Sequence, residues 1–70
     1  MKYREIARKL QKLQCHEIAR TGGGSHRKWA NPFTNHFTVV PDWGGKDLKL
    51  GTIRAVVRQL ALDWDDFNNA

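Results

Sequence analysis

Apolar side chains near the start of the chain recur at the spacing of one helical face. The members of this stripe are Tyr3, Ile6, Ala7, Leu10 and Leu13. They fall at positions i, i+3, i+4, i+7 and i+10, which is typical of an amphipathic helix with one buried side. Glu5 and Lys9 stand four residues apart, a spacing at which opposite charges on a helix can pair. The pattern therefore predicts a helix that packs through one apolar face.

The same spacing returns toward the end of the chain and predicts a second helix over residues 50–60. Its apolar positions are Leu50, Ile53, Val57 and Leu60. Gly51 costs about 1 kcal/mol relative to alanine inside a helix, and less in the first turn. Asp63 follows as a predicted N-cap of a last short turn, because its carboxylate can accept a hydrogen bond from an amide two or three residues later. Trp64 and Phe67 are then expected to fold back onto the rest of the chain.

The middle of the chain predicts three short strands, at residues 16–20, 26–31 and 36–40. The third is rich in aromatic and β-branched residues, and the Asn-Pro step at Asn31 favours a turn before it. Short connections between successive strands favour an antiparallel meander. Both helices need a cover for their apolar faces, and one side of the sheet can supply it. We therefore expect one α+β domain over residues 1–70, in the order α-β-β-β-α, with two helices on one face of a three-stranded antiparallel sheet.

Alternation along the second strand separates Trp29 from two polar neighbours. If Trp29 points into the core, His26 and Lys28 point to the open face of the sheet, because successive side chains of a strand alternate. The stretch TGGGSHRKW, residues 21–29, places three glycines just before this strand. Glycine lets a ligand approach the backbone closely, and successive amides in such a turn can cradle an oxyanion. A flexible linker is the alternative for the glycine run, although a linker is unexpected between two strands of so small a domain.

The charge balance favours a polyanionic partner. The chain has 12 Lys and Arg residues against 7 Asp and Glu residues, a formal net charge of +5. Every basic residue falls within residues 1–58, whereas the last segment holds three aspartates and no cation. A basic body suits nucleic acid, and the alternative is a protein that is basic without such a partner. A chain of 70 residues buries one thin core, so a substrate is expected to lie across a face rather than in a deep pocket.

Cysteine content and hydropathy indicate the compartment. Cys15 is the single cysteine, which excludes an internal disulfide and a cysteine-based metal site. We expect it to fill a strand position as a small apolar group. No apolar run approaches the roughly 20 residues of a membrane-spanning helix, and the N-terminal stretch lacks the apolar core of a signal peptide. These features predict a cytoplasmic protein that does not bind a membrane.

Four stretches of the sequence resemble the HicA toxin family, also called YcfA-like proteins. They are GGGSHRKW (22–29), VVP (39–41), KDLKLGTIRAVVRQL (46–60) and LDWDDF (62–67). The most specific parts are Gly-Ser-His followed by an aromatic residue, and Gly-Thr-Ile-Arg at the start of the last helix. The likeness covers nearly the whole chain and implies the fold of double-stranded RNA-binding domains. It also implies an mRNA interferase, the ribonuclease toxin of a type II toxin–antitoxin system, which a cognate HicB antitoxin neutralises.

The resemblance places the family's catalytic histidine at His26. RNA carries its own nucleophile in the 2′-hydroxyl, and an imidazole with an ordinary pKa near 6.5 can take or give a proton at cellular pH. Many family members carry a second histidine shortly after the Val-Pro step, where this chain has Asp42 and Trp43. This departure from the family pattern weakens a two-histidine mechanism for this chain.

The predicted phosphate-binding set surrounds this histidine. Lys28 lies two residues on and shares its predicted face, so it can neutralise the phosphate. The Ser25 hydroxyl and the Gly24 amide can donate to a phosphoryl oxygen. Arg27 and Arg54 complete the set as contacts to the RNA backbone. The scheme requires no metal and no cofactor.

Several residues and functions have alternatives. His16 and His36 are more typical of surface or structural histidines than of metal ligands. Trp43 can stack a nucleobase or pack at the rim of the sheet. Arg54 and Arg58, four residues apart, can follow phosphates or form a solvated helix face. A non-catalytic RNA-binding module of the same fold is the main alternative function. A DNA-binding or purely protein-binding domain is the third class and is disfavoured, because a DNA-binding domain would require a recognition helix with base-reaching polar residues, whereas residues 50–60 are apolar and basic.

Overall fold

The computed structural model describes residues 1–18 and 25–70. The elements within these residues are α1 (Tyr3–Lys12), β1 (His16–Glu17), β2 (His26–Asn31), β3 (His36–Pro41), α2 (Leu50–Gln59) and α3 (Trp64–Asn69). The predicted α+β class and element order are confirmed, and the predicted last turn is the short helix α3. The likeness to double-stranded RNA-binding domains stays a prediction. No helix within the described residues is long and apolar enough to cross a bilayer.

β2 is the central strand of a three-stranded antiparallel sheet in the order β1-β2-β3. It pairs with β3 along its full length, with His26 opposite Pro41 at one end and Asn31 opposite His36 at the other. β1 contributes only two residues and is shorter than the predicted strand, whose last two residues, 19 and 20, lie outside the described part of the chain. β3 extends one residue further than predicted, to Pro41.

The predicted turn between β2 and β3 is confirmed and is tied to the end of α2. The Asn31 carboxamide oxygen accepts from the Phe33 amide at 3.0 Å, which stabilises the turn locally. The Asn31 Nδ2 group donates to the Leu60 carbonyl at 2.8 Å. Asn35 closes the turn by donating from its amide to the Asn31 carbonyl at 2.9 Å, with a left-handed φ of 58°. One buried asparagine thus joins the hairpin to the carbonyl at the end of α2, which also accepts from the Thr34 hydroxyl at 3.3 Å.

The helices cover one face of the sheet, as predicted. α2 packs against β3 and α3, and α3 also contacts α1. The apolar cluster between these layers consists of Tyr3, Ile6, Leu10, Cys15, Trp29, Val40, Leu48, Ile53, Val56, Val57, Leu60 and Phe67. Trp29 is 1% exposed, and its indole Nε1 donates to the Tyr3 hydroxyl at 3.1 Å. Because Trp29 lies in the core, the opposite face of β2 is the open face of the sheet.

One helix cap is the predicted one, and two further caps, at the C-terminal ends of α1 and α2, are not predicted by the local sequence. Asp63 caps α3 by accepting from the Asp66 amide at 3.0 Å, as predicted. The turns that follow α1 and α2 contain Gln14 and Ala61, which adopt left-handed φ values of 68° and 55°. Each is followed by an amide that bonds back to a carbonyl of the last turn, the arrangement in which glycine is the usual residue.

The predicted pairing of Glu5 with Lys9 is wrong, because both side chains bond elsewhere. Glu5 accepts from the backbone amide of Lys2 at 3.2 Å and so caps the start of α1. The Lys9 ammonium reaches the end of α3, where it donates to the carbonyls of Asn68 and Ala70 at 3.0 and 3.1 Å. Helix C-terminal carbonyls lack intrahelical donors and carry partial negative charge, so they compete successfully for an exposed ammonium group.

Cys15 is buried as a small apolar group, as predicted, although it lies just before β1 rather than within a strand. It is 4% exposed and belongs to the core cluster. Burial raises the pKa of its thiol, which keeps the sulfur protonated at neutral pH. The thiol is therefore a packing group and not a nucleophile.

Candidate functional site

His26 and Lys28 lie on the open face of the sheet, on the strand that the other two strands flank. Both side chains are exposed, whereas Trp29 beside them is buried. In register, His26 lies opposite Pro41 and Lys28 lies opposite Val39. Residues two apart on a strand are about 7 Å apart, so the imidazole and the ammonium group can contact neighbouring parts of one extended ligand.

Arg27 lies between them in sequence and points to the other face. Its Nε donates to the Asp42 carboxylate at 2.9 Å, and its Nη1 donates to the Glu17 carboxylate at 3.1 Å. The guanidinium carbon also lies 5.3 Å from the centre of the Tyr3 ring. The bond to Glu17 is the main cause that raises the pKa of Arg27, with the Tyr3 and Asp42 environments adding to it. Its charge is matched by two carboxylates, so the geometry favours an anchoring role rather than the predicted phosphate contact.

Asp42 joins the ends of the two long strands. Its amide donates to the Ser25 carbonyl, which extends the β2–β3 ladder by one residue beyond His26. Its carboxylate accepts from Arg27 and, through Oδ1, from the Gly44 amide at 3.1 Å. Where the resemblance implies a second histidine in many other members, this chain therefore has a carboxylate that bonds to the Gly44 amide and to Arg27.

Sequence reasoning missed Glu17 and Asp42 as partners of Arg27. They lie ten residues before and 15 residues after it, on either side of the central strand. The only available signal was the alternation of β2, which places Arg27 on the same face as Trp29 and so requires a charge partner at the edge of the core. Naming that partner needs the register of three strands.

An exposed apolar strip runs beside His26 and Lys28 along β3. Phe37 and Val39 are each 49% exposed on the open face. The Lys28 ammonium lies 5.2 Å from the centre of the Phe37 ring, within the range of a cation–π contact. Phe37 was not among the predicted site residues. Alternation along β3 places it on the same face as Val39, and the register with β2 is needed to show that this face is the open one.

The remaining predicted site residues are not all gathered here. Ser25 is exposed and directly precedes His26, whereas Gly24 lies outside the described residues, as do the other glycines of the run. Arg54 is on α2, behind the sheet, and its guanidinium carbon lies 4.4 Å from the centre of the Trp64 ring. The structure therefore does not bring Arg54 together with His26.

The other two histidines are spread over the sheet. His16 is exposed opposite Ala30 on the open face, and His36 is exposed opposite Asn31 near the β2–β3 turn. Within residues 1–18 and 25–70, no three His, Cys, Asp or Glu side chains are grouped so as to hold a metal ion.

Fold and site together define a small basic α+β domain that presents a histidine, a lysine and apolar side chains on an uncovered sheet face. The family model described as the HicA toxin of bacterial toxin–antitoxin systems matches residues 3–62. The chain belongs to this HicA toxin family, as its resemblance predicted, and membership implies a partner in a toxin–antitoxin pair. Searches of curated proteins and of solved structures found no match.

Proposed function

We propose that this protein is an endoribonuclease that cleaves messenger RNA, with His26 as the proton-transfer group. The observation that carries the proposal is the exposure of His26 and Lys28 on one open sheet face while Arg27 holds the strand from behind. An uncovered face suits a long substrate better than a pocket does. The family membership supports a toxin that acts on a cellular target, and messenger RNA is the target that the resemblance implies.

The chemistry uses groups of the chain and of RNA itself. The 2′-hydroxyl attacks the neighbouring phosphorus, a new P–O bond forms, and the bond to the 5′-oxygen breaks. His26 takes the 2′-hydroxyl proton as general base, and solvent or the same imidazole after proton exchange supplies the proton to the leaving 5′-oxygen. Lys28 neutralises the charge that develops on the phosphate, and the Ser25 hydroxyl donates to a phosphoryl oxygen.

The partner in this proposal is a HicB-like antitoxin that covers the open face. A protein seated over His26 and Lys28 excludes RNA from the same surface, which is the simplest way to silence a site on an exposed sheet face. The positive formal charge of the chain suits an acidic partner surface.

The test compares cleavage of one RNA by the intact chain and by His26→Ala. We expect the rate to fall by about 10²- to 10⁴-fold, the usual contribution of a general acid–base group. The variant should stay folded, because an exposed side chain on the open face has few packing contacts. His16→Ala is the matched control, since His16 is also an exposed histidine of the open face, and it should cleave at the parental rate.

The main alternative, a non-catalytic RNA-binding module, predicts a different result in this comparison. It requires cations and an apolar surface such as Lys28 and Phe37, but no titrating imidazole. Under that alternative, purified intact chain and His26→Ala bind RNA equally and neither cuts it. Equal cleavage by a folded His26→Ala would instead assign the reaction to another group of the chain.

A further inference from the structure

The turn after β3 brings an aromatic ring and an ammonium group to one opening at the rim of the sheet. Trp43 and Lys46 are its first and last residues, joined by a hydrogen bond from the Lys46 amide to the Trp43 carbonyl at 3.3 Å. Gly44 occupies the second position with a φ of 62°, a conformation that side-chain-bearing residues adopt only with strain. The Asp42 carboxylate accepts from the Gly44 amide and so ties this turn to Arg27.

A cavity of about 400 Å³ lies at this turn, lined by Trp43 and Lys46 among the described residues. This volume falls within the range of about 300–1,000 Å³ that is typical of small-ligand sites. Trp43 is 43% exposed and does not belong to the core cluster, so its indole face is available to a ligand. A Cβ built on Gly44 or Gly45 would meet no atom of the described residues within 4 Å, so neither glycine packs against them.

The cavity is close to His26. Pro41 is the Cα partner of His26, and Trp43 follows Pro41 by two residues. Two residues span at most about 7 Å, and paired Cα atoms of antiparallel strands are about 5 Å apart, so the Trp43 Cα lies within about 13 Å of the His26 Cα. A nucleotide held at Trp43 therefore neighbours a phosphate held at His26.

We propose that Trp43 and Lys46 form a nucleotide subsite for single-stranded RNA beside the cleaved phosphate. The indole stacks on one base, and the Lys46 ammonium contacts an adjoining phosphate. Stacking on an aromatic ring accepts any base, because every base has a π-face, so the subsite positions the strand without choosing a sequence. The identity of the ligand rests on the proposed ribonuclease function, and both residues are positioning residues rather than catalytic ones.

Binding of a short 2′-O-methyl RNA to the intact chain tests the stacking half of the proposal. This probe lacks the attacking hydroxyl, so binding is measured without cleavage. Trp43→Ala should weaken binding roughly 5- to 150-fold, the usual loss of one stacked base, and Trp43→Phe should retain most of the affinity. Phe33→Ala is the matched control, since Phe33 is 74% exposed at the opposite end of the β2–β3 hairpin, and it should bind as the parent does.

A probe of the same length without bases separates stacking from charge. The intact chain should bind the base-bearing probe more tightly than the abasic one, and Trp43→Ala should lose this preference. Lys46→Gln should instead lower the slope of log affinity against log salt by about 0.7, the contribution of one neutralised phosphate on a single strand. Lys12→Gln, an exposed lysine of α1, should leave that slope unchanged.

The outcomes distinguish this proposal from the function on which it rests. Unchanged binding by folded Trp43→Ala, or an equal loss in Phe33→Ala, overturns the subsite while leaving His26-dependent cleavage intact. RNA that is bound with a Trp43-dependent base preference but never cut supports the subsite and overturns the ribonuclease. Failure of the intact chain to bind the RNA probe overturns both.

Discussion

At the scale of single residues, one buried hydrogen bond joins the first helix to the central strand. The indole Nε1 of Trp29 has the Tyr3 hydroxyl as its acceptor, and both rings lie in the core. Burial is the largest cause that raises the pKa of Tyr3, and the nearby charge of Glu17 acts in the same direction. The hydrogen bond from Trp29 and the charge of Arg27 oppose this rise without cancelling it.

Replacement of this tyrosine by phenylalanine should therefore have two separable effects. At neutral pH, Tyr3→Phe leaves the indole N–H without its acceptor, and we expect the free energy of unfolding to fall by about 1–3 kcal/mol. At alkaline pH the intact chain should lose stability as the pH rises above about 10, because Tyr3 ionises in the unfolded chain before it ionises in the folded one. The variant lacks this contribution and should lose less stability over the same pH range.

Urea unfolding of both proteins between pH 7 and pH 11 measures these effects. Tyr3 is the only tyrosine of the chain, so the difference between the two pH profiles belongs to it alone. Cys15, whose thiol pKa is also raised by burial, is present in both proteins and does not enter that difference. Parallel alkaline profiles would show that the tyrosine titrates alike in the folded and unfolded chains.

At the scale of elements, adjacent residues of β2 have different roles because their side chains alternate between the two faces of the sheet. Arg27 points to the helix side, where two carboxylates receive its guanidinium, and Lys28 points to the open side. Successive side chains of a strand face opposite sides of the sheet, so two neighbouring cations lie in different environments. The strand is therefore anchored from one face and presents its chemistry on the other.

Substitution of these two neighbours by glutamine should separate anchoring from RNA binding. Arg27→Gln removes the shared partner of Glu17 and Asp42, so its urea midpoint should fall, while the salt dependence of RNA binding changes little. Lys28→Gln should keep the parental urea midpoint and lower the log–log salt slope by about 0.7. If instead Arg27→Gln lowers the salt slope as much as Lys28→Gln does, then Arg27 leaves its carboxylates to contact phosphate.

At the scale of the whole molecule, the helices and the open sheet face divide the surface into two sides. α1, α2 and α3 cover the core, and His26, Lys28 and Phe37 lie on the opposite side. The chain has a formal net charge of +5, and on the open face the Lys28 ammonium lies beside the exposed apolar strip of Phe37 and Val39. A partner with acidic and apolar groups can cover this side without touching the helices.

Binding of the cognate antitoxin should therefore protect one side of the molecule from chemical labelling. In a lysine-acylation experiment read by mass spectrometry, Lys28 should react in the free chain and be protected in the complex. Lys12 at the end of α1 is the internal control and should react in both. Equal labelling of Lys28 in the free chain and the complex would contradict occlusion of the open face.

The local pattern of the chain by itself determined its elements and their faces. Helical stripes located α1 and α2, the Asp63 cap located α3, and alternation around Trp29 assigned His26 and Lys28 to the open face. These features are predictable because they depend on residues within one or two turns of a helix, or on a repeat of two along a strand.

Tertiary structure alone decided which charges meet and where the helices end. Arg27 has Glu17 and Asp42 as partners because two strands flank β2 in one register, and no spacing along the chain encodes that register. Likewise, Lys9 bonds to the end of α3, a contact between residues 59 and 61 positions apart. Such contacts depend on packing between distant segments, which overrides the local preference that predicted a pair within α1.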